Sequence, residues 1–336
     1  MASRPTIIDV ARVAGVSKTT VSRVVNGDTR KVSDETVQRV FAAIANLGYE
    51  HNSIARSLRT DRTQIVMLML PDITNPFWPE VARGIQDIMD GAGYSVVFAN
   101  IDWSDAREQE FLRTAMRMRV DGIFINPIHV TEDQVLATRI PAVILGNRPG
   151  FRKSDMVGSD TEMAIHKALE YLLRLGHQRI GLLLGRSEVT SGFSRQRSFY
   201  EFFAKNQLET HPELVVEVTF DNHGGERGMR RLLELSEIPT AVLASNDLIA
   251  LGALQVAHEM GYQVPKDVSI MGIDDIHAAS LSIPALTTMR KPKYEIGQKA
   301  ARLLLERMQN TNDSLAPRIS KCPCQLVVRA STAPPA

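Results

Sequence analysis

The sequence predicts an α/β protein with an all-α head: a small helical bundle at the start, then two doubly wound, Rossmann-like subdomains. Three observations predict it. Apolar residues recur at helical spacing over roughly the first fifty positions. From Gln64 onward, short apolar runs alternate with amphipathic helical stretches. At 336 residues the chain has room for two or three domains.

The first helix begins after Thr6, with Asp9 three positions on in the manner of a capping box. Ile7, Val10, Ala11 and Ala14 give it one apolar face. Gly15, lacking a Cβ, permits a turn, and Ser17 is a natural cap for the next helix. In that helix Val21, Val24 and Val25 point back at the first. The opposite side carries Lys18, Thr19, Ser22, Arg23 and Asn26, groups that hydrogen-bond base edges or phosphates. Asn26-Gly27 stops it. A third helix is capped by Ser33, has Asp34 and Glu35 in its first turn where the helix dipole favours negative charge, buries Val37, Val40, Phe41 and Ile44, and ends at Gly48.

This spacing is that of a helix-turn-helix, which reads the major groove; an ordinary amphipathic hairpin shares it. Charge favours the first reading. Through Arg62 there are ten Lys and Arg against six Asp and Glu, whereas the whole chain nets only +1. Basic charge is thus concentrated at the front, as phosphate binding requires.

Ser53 to Arg59 is helix-compatible but spans about two turns, and isolated helices below roughly 12–15 residues are marginal in water. The segment is expected to fold on a partner. Leu58, between Ser57 and Arg59, reads either as a surface leucine or as a wedge inserted between base pairs in the minor groove. Burying one leucine yields roughly 1.5–3 kcal/mol, and bending the duplex costs on the order of 1–6 kcal/mol. The wedge at best breaks even, so affinity must come from the contacts that bent DNA permits and from pairing two heads.

The run Thr6-Ile-Ile-Asp-Val-Ala-Arg-Val-Ala-Gly-Val-Ser-Lys-Thr-Thr-Val-Ser-Arg-Val-Val-Asn-Gly27, followed by Leu47-Gly-Tyr-Glu-His-Asn-Ser-Ile-Ala-Arg-Ser-Leu-Arg59, resembles the lactose repressor/galactose repressor family of bacterial transcription regulators. The resemblance extends over almost the whole chain. His51 departs from it, since the family usually has proline before the asparagine. The candidate DNA-contact set is Thr6, Ser17, Lys18, Thr19, Thr20, Ser22, Arg23 and Asn26 in the head, with Ala55, Arg56 and Leu58 in the hinge. Lys18, Thr19 and Arg23 are expected to read bases, Ser22 and Asn26 to hold phosphates, and Leu58 to open the central minor-groove step.

Beyond the hinge, Ile65–Leu70, Ser95–Phe98, Gly122–Ile125, Ala142–Leu145, Ile180–Leu184, Ala241–Leu243 and Val268–Met271 read as strands buried on both faces of parallel sheets. Val81, Ile85, Ile88 and Met89 share one helix face between the first two. The resemblance implies a periplasmic-binding-protein-like core whose chain crosses between subdomains near Asp160, Arg290 and Ser320. The expected division is a head over 1–50, a hinge helix and linker over 51–63 and an effector-binding core over 64–336. Within the core, the first subdomain would comprise about 64–160 and 291–320, and the second about 161–290 and 321–330.

A ligand cleft belongs at the carboxyl ends of the strands. Asp72, Asn75, Phe77 and Trp78 follow the first strand; Arg195 and Arg197 follow the run at Ile180; Phe220, Asn246 and Asp274 end later strands. Aromatic faces beside carboxylate, amide and guanidinium groups suit a sugar or a nucleoside. The plainer alternatives are helix caps for Asn246 and Asp275 and a surface ion pair for Arg195. The resemblance matches Trp78, Arg197, Phe220, Asn246 and Asp274 to ligand contacts, Arg197 and Asp274 foremost. Asn147 stands where the family often has aspartate before arginine, which puts that contact in question.

The start shows no export signal, and no segment approaches a spanning helix. The two cysteines, Cys322 and Cys324, lack companions for a metal site and read as reduced thiols on a late strand. No phosphate-cradling loop or nucleophile elbow is present. These absences argue against a transport protein that binds sugar and against a sugar kinase or dehydrogenase. The tail after Arg329 is no coiled coil, so a dimer is expected, acting on a near-palindromic operator because two-fold proteins impose two-fold sites. The expectation is a cytoplasmic, dimeric repressor of carbohydrate-utilisation genes that uses no cofactor, metal or membrane. Its effector would be a sugar, the alternative being a nucleoside or purine.

Overall fold

The computed structural model describes residues 5–25, 28–49, 62–185, 191–310 and 316–336, with backbone alone at 191–194. Two compact units emerge, Met1–Thr63 and Gln64–Ala336.

The first unit holds α1 (Ile7–Ala14), α2 (Lys18–Val25) and α3 (Asp34–Leu47). Asp9 accepts from the Thr6 backbone N–H at 2.9 Å and from its hydroxyl at 2.7 Å, which holds the Asp9 carboxyl below the usual carboxylate range. Gly15 and Gly48 end their helices in the left-handed conformation at φ 64° and 60°. Val10, Ala11, Ala14, Val21, Val24, Val40 and Ala43 form the core, closed by Tyr49. Phe41 does not join it and is 54% exposed. The buried stripe of α3 is centred on Val40 and Leu47, and at 3.6 residues per turn Phe41 falls more than a quarter turn away. The stop expected at Asn26-Gly27 and the hinge expectations at Ala55, Arg56 and Leu58 lie outside the described residues.

The second unit contains two six-stranded sheets. In the first, β1 (Ile65–Leu70), β2 (Ser95–Asn100), β3 (Gly122–Ile125), β4 (Ala142–Leu145), β5 (Asp155–Ser159) and β11 (Ile319–Cys322) run parallel in the order β11-β5-β4-β3-β1-β2. The second comprises β6 (Ile180–Gly185), β7 (Val215–Val218), β8 (Ala241–Ala244), β9 (Ser269–Asp274), β10 (Thr287–Arg290) and β12 (Gln325–Val327). Its order is β12-β10-β9-β8-β6-β7, with β12 alone antiparallel. The chain passes from one sheet to the other after Ser159, after Arg290 and after Cys322.

The helices α4 (Phe77–Gly91), α5 (Asp105–Met118), α6 (Glu132–Ala137), α7 (Thr161–Arg174), α8 (Ser191–Lys205), α9 (Asn222–Leu233), α10 (Asp247–Glu259), α11 (His277–Leu281) and α12 (Lys293–Gln309) cover or flank the sheets. Most apolar runs are the buried strands expected. The exception is β2, where Phe98 is 48% exposed. As an edge strand it has a neighbour on one side only and cannot be covered like the central β1 and β3. The run at Ile180 is the sixth strand, because Asp155-Met-Val-Gly-Ser159 forms a strand without an apolar run to announce it.

Two helix pairs approach closely enough to require glycine. A Cβ on Gly84 would lie 2.2 Å from the Tyr294 carbonyl, and one on Gly297 would lie 2.1 Å from that of Val81, so α4 and α12 cross on facing glycines. In the other half, Gly225 faces the Ile249 carbonyl and Gly252 that of Asn222, each at 2.0 Å, and join α9 to α10. Each pair brings the start of one helix to the cleft. The buried Asp155 locks α12 to the first sheet, accepting from Arg307 Nε and Nη2 at 2.7 and 2.9 Å and from the Arg318 backbone at 2.7 Å. Burial pushes its carboxyl upward, but these bonds outweigh burial and hold it below the usual range.

Candidate functional site

In the head, α2 presents its valines inward, which leaves Lys18, Thr19 and Arg23 exposed on the far side. Ser17 and Thr20 are partly occupied with the turn: the Ser17 hydroxyl accepts from the Thr20 N–H at 3.0 Å and shares a bond with its hydroxyl at 2.9 Å. The Thr6 hydroxyl is engaged too, donating to the Asp9 carboxylate. The exposed face therefore offers two cations and a hydroxyl, while Ser22 is half-buried.

In the second unit a cavity of about 1020 Å³, its open mouth included, lies where the carboxyl ends of both sheets face each other. From the first sheet come Asn75, Phe77 and Trp78 after β1, Asn126 after β3, and Asn147 and Arg148 after β4. Phe220, Asn246, Asp274 and Lys291 come from the ends of β7, β8, β9 and β10. The space is that of a small-molecule site with apolar walls and a few convergent polar groups.

Each side chain is placed by local structure. Asn75 Oδ1 accepts from the Phe77 N–H at 3.0 Å, opening α4 and setting Phe77 edge-on to Trp78 at 4.9 Å between centroids. Asn246 caps α10 through the Ile249 N–H at 2.8 Å and also lines the cavity. The Phe220 ring lies against Gly185, where a Cβ would come within 2.5 Å of it. Asp274 sits at φ 134°, a strained backbone for a residue with a side chain. Its Oδ1 is 2.9 Å from Lys291 Nζ. Behind it, burial and then the neighbouring Asp274 push the Asp247 carboxyl up to about 7. Lys293 Nζ donates to the Asp274 and Asp275 carbonyls at 2.9 and 2.7 Å and pairs with Glu80 at 3.2 Å, tying α4 and α12 to the end of β9.

Two expected residues stand apart from the cavity. Asp72 spends a carboxylate oxygen on the Thr74 N–H and hydroxyl at 2.8 and 2.6 Å. Arg197 is turned outward, where Glu162 at 3.1 Å and Glu201 at 3.4 Å hold it. Its spacing two residues after Arg195 on α8 swings it well around the helix axis. Arg195 takes the inner place instead: its guanidinium lies 5.3 Å over the Phe220 ring, and Nε and Nη1 are shut off from solvent without a hydrogen-bond partner. The expected surface ion pair is thus not what Arg195 forms. Sequence reasoning also missed Trp103, Asn126 and Lys291 as lining residues. Trp103 could have been suspected as an aromatic residue in the loop after β2.

A head with a polar recognition helix, joined to a two-sheet core with a ligand-sized cleft, defines a ligand-responsive DNA-binding regulator. Residues 6–52 match the bacterial regulatory proteins of the lacI family, and residues 169–332 match the periplasmic binding protein-like domain. The HTH-type transcriptional repressor PurR of Photobacterium profundum is 31% identical over 97% of this chain and 98% of its own length. The ribose operon repressor of Haemophilus influenzae is 32% identical over 96% and 97%. The structure of the Lac repressor dimer bound to operator and the anti-inducer ONPF is similar with a TM-score of 0.88 and 28% identity, over 98% of this chain and all of that one. The chain belongs to the LacI family. It is a DNA-binding transcriptional repressor and not an enzyme.

Among the described residues no helix is long and apolar enough to cross a membrane.

Proposed function

We propose that the grip of this repressor on its operator is governed by a sugar held in the cavity between the two sheets. The observation that carries this reading is the lining: Phe77, Trp78 and the stacked Trp103–Phe220 pair form apolar aromatic walls beside Asn75, Asn147, Asn246, Asp274 and two arginines. A sugar has apolar C–H faces and a rim of hydroxyls, which such a lining complements. Binding between the sheets couples to the angle between the two halves, and coupling of about 1–3 kcal/mol suffices for a switch. The proposed organisation is a head over 1–50, a hinge over 51–63 and a core over 64–336, assembled as a cytoplasmic dimer on a near-palindromic operator. Lys18, Thr19 and Arg23 read bases, Ser22 and Asn26 hold phosphates, and Leu58 opens the central step.

A nucleoside or purine is the second reading. The similarity to the repressor PurR supports it, and the same aromatic faces would stack a flat base.

A thermal-shift screen of the full-length protein against sugars, nucleosides and purines separates the two. Each ligand that binds is then tested for its effect on operator affinity in a mobility-shift assay. A sugar that shifts operator affinity about 5-fold or more is the expected result. Stabilisation by a purine alone overturns the sugar reading, and a bound sugar without effect on operator affinity overturns control through the cavity.

A further inference from the structure

Among the described residues the cavity is lined by three cations, Arg148, Arg195 and Lys291, against two acids, Glu162 and Asp274. Both acids are answered. Asp274 pairs with Lys291 at 2.9 Å, and Glu162 pairs with Arg197 at 3.1 Å and Lys321 at 3.4 Å. Arg148, 4% exposed, donates to the neutral Asn126 amide oxygen at 3.1 Å. The carboxylate nearest in influence on Arg148 is Glu108, whose two oxygens accept from the backbone N–H groups of Ile128, His129 and Val130. Burial, and then the charge of Arg195, lower the Arg148 pKa to about 10. Arg195 rests on the Phe220 face with Nε and Nη1 buried and unpartnered; burial lowers its pKa, and the charge of Asp274, already paired with Lys291, raises it. Burying an ion without a matching acceptor costs several kcal/mol, and the guanidinium fork fits the oxygens of a phosphate or carboxylate.

We propose that the effector carries an anionic group, a phosphate or carboxylate, which Arg195 binds beside Arg148 while its body lies against the aromatic faces. This rests on the cavity being the effector site. The anion supplies the charge that the lining lacks and relieves the repulsion between the two guanidiniums. Arg195 is the discriminating residue because two of its buried donors, Nε and Nη1, have no partner in the protein.

The test measures binding of inorganic phosphate, acetate, glucose, gluconate and glucose 6-phosphate to the full-length protein, by thermal shift and calorimetry, beside Arg195→Met. Saturable stabilisation by phosphate or acetate is expected, with the charged sugars binding about tenfold or more tighter than glucose. A stronger response to phosphate and glucose 6-phosphate assigns a phosphate, and a stronger response to acetate and gluconate assigns a carboxylate. Arg195→Met should erase this preference. Failure of both simple anions to bind, equal binding of glucose and its charged derivatives, or a preference that survives in Arg195→Met would each overturn the proposal. The last outcome would place the anion elsewhere, such as on the basic head. Equal binding of neutral and charged sugars would leave the sugar reading of the cavity intact. Binding of anions at Arg195 without any change in operator affinity would instead remove the effector reading and leave the anion subsite.

Discussion

Trp103 and Phe220 stack across the cleft, ring centroids 5.4 Å apart and planes within 8°. Trp103 follows β2 of the first sheet and Phe220 follows β7 of the second, so the pair joins the two halves of the core. Trp103 reaches this place from two successive left-handed residues, Asp102 at φ 47° and itself at φ 57°. Asn100 Nδ2 and Arg107 both bond the Asp102 carboxylate and hold that turn.

The chain has two tryptophans, Trp78 and Trp103, and both line the cavity. Tryptophan emission, excited at wavelengths where the six tyrosines do not absorb, therefore reports this site. Titrating a ligand that calorimetry shows to bind should change the emission of the unlabelled protein, and Trp103→Phe should reduce that change. Emission that stays constant through saturation would place the ligand outside the cavity.

Arg23 is exposed on the polar side of α2. Arg23→Ala should cost about 1–3 kcal/mol on a cognate inverted repeat and much less on random duplex, since a base contact specifies while a phosphate contact positions. Fluorescence anisotropy on both duplexes at one salt concentration measures this. Equal losses on the two would make Arg23 a phosphate contact.

The layout of the head was legible because its signals are local: the Thr6–Asp9 pair, Gly15, Ser33 and Gly48 act within a turn of where they stand. The central strands were legible for a related reason, since burial on both faces leaves an unbroken apolar run. Phe41 and the edge strand β2 misled because exposure depends on what a neighbour covers, which no local pattern records. The cleft was half legible. Asn246 and Asp274 mark strand ends in the sequence. Which of Arg195 and Arg197 turns inward depends on how α8 sits on its sheet, and the Trp103–Phe220 stack joins loops more than a hundred residues apart.

Gly297→Ala should destabilise the core, because its Cβ would lie 2.1 Å from the Val81 carbonyl and force α4 and α12 apart. Overpacking of this kind costs about 1–3 kcal/mol. Gly91→Ala, in the last turn of α4 with open space around it, serves as the control and should be neutral or mildly stabilising. Denaturant midpoints compare them; equal midpoints would contradict the close crossing.

Asp155 gives the core a pH signature. Its carboxyl is held below the ordinary range when folded, mainly by Arg307 working against burial. The stability it contributes is complete above the unfolded aspartate value of about 3.9 and is lost as pH falls through the lower folded value. Asp155→Asn should therefore lower Tm strongly at pH 7, by breaking a buried ion pair worth about 3–5 kcal/mol to disrupt. The gap from the wild type should narrow below about pH 4. A gap independent of pH would show that geometry, not charge, is what Asp155 supplies.

The most direct measurement selects an inverted-repeat operator for the full-length protein, then follows its affinity by anisotropy as a cavity ligand is added, in the wild type and in Asp274→Ala. The account predicts clear preference for the repeat over bulk DNA and a change in affinity of about 5- to 150-fold with ligand. In Asp274→Ala operator binding should be undiminished without ligand and the response to ligand lost. No preference for any inverted repeat, or an undiminished response in Asp274→Ala, would contradict it.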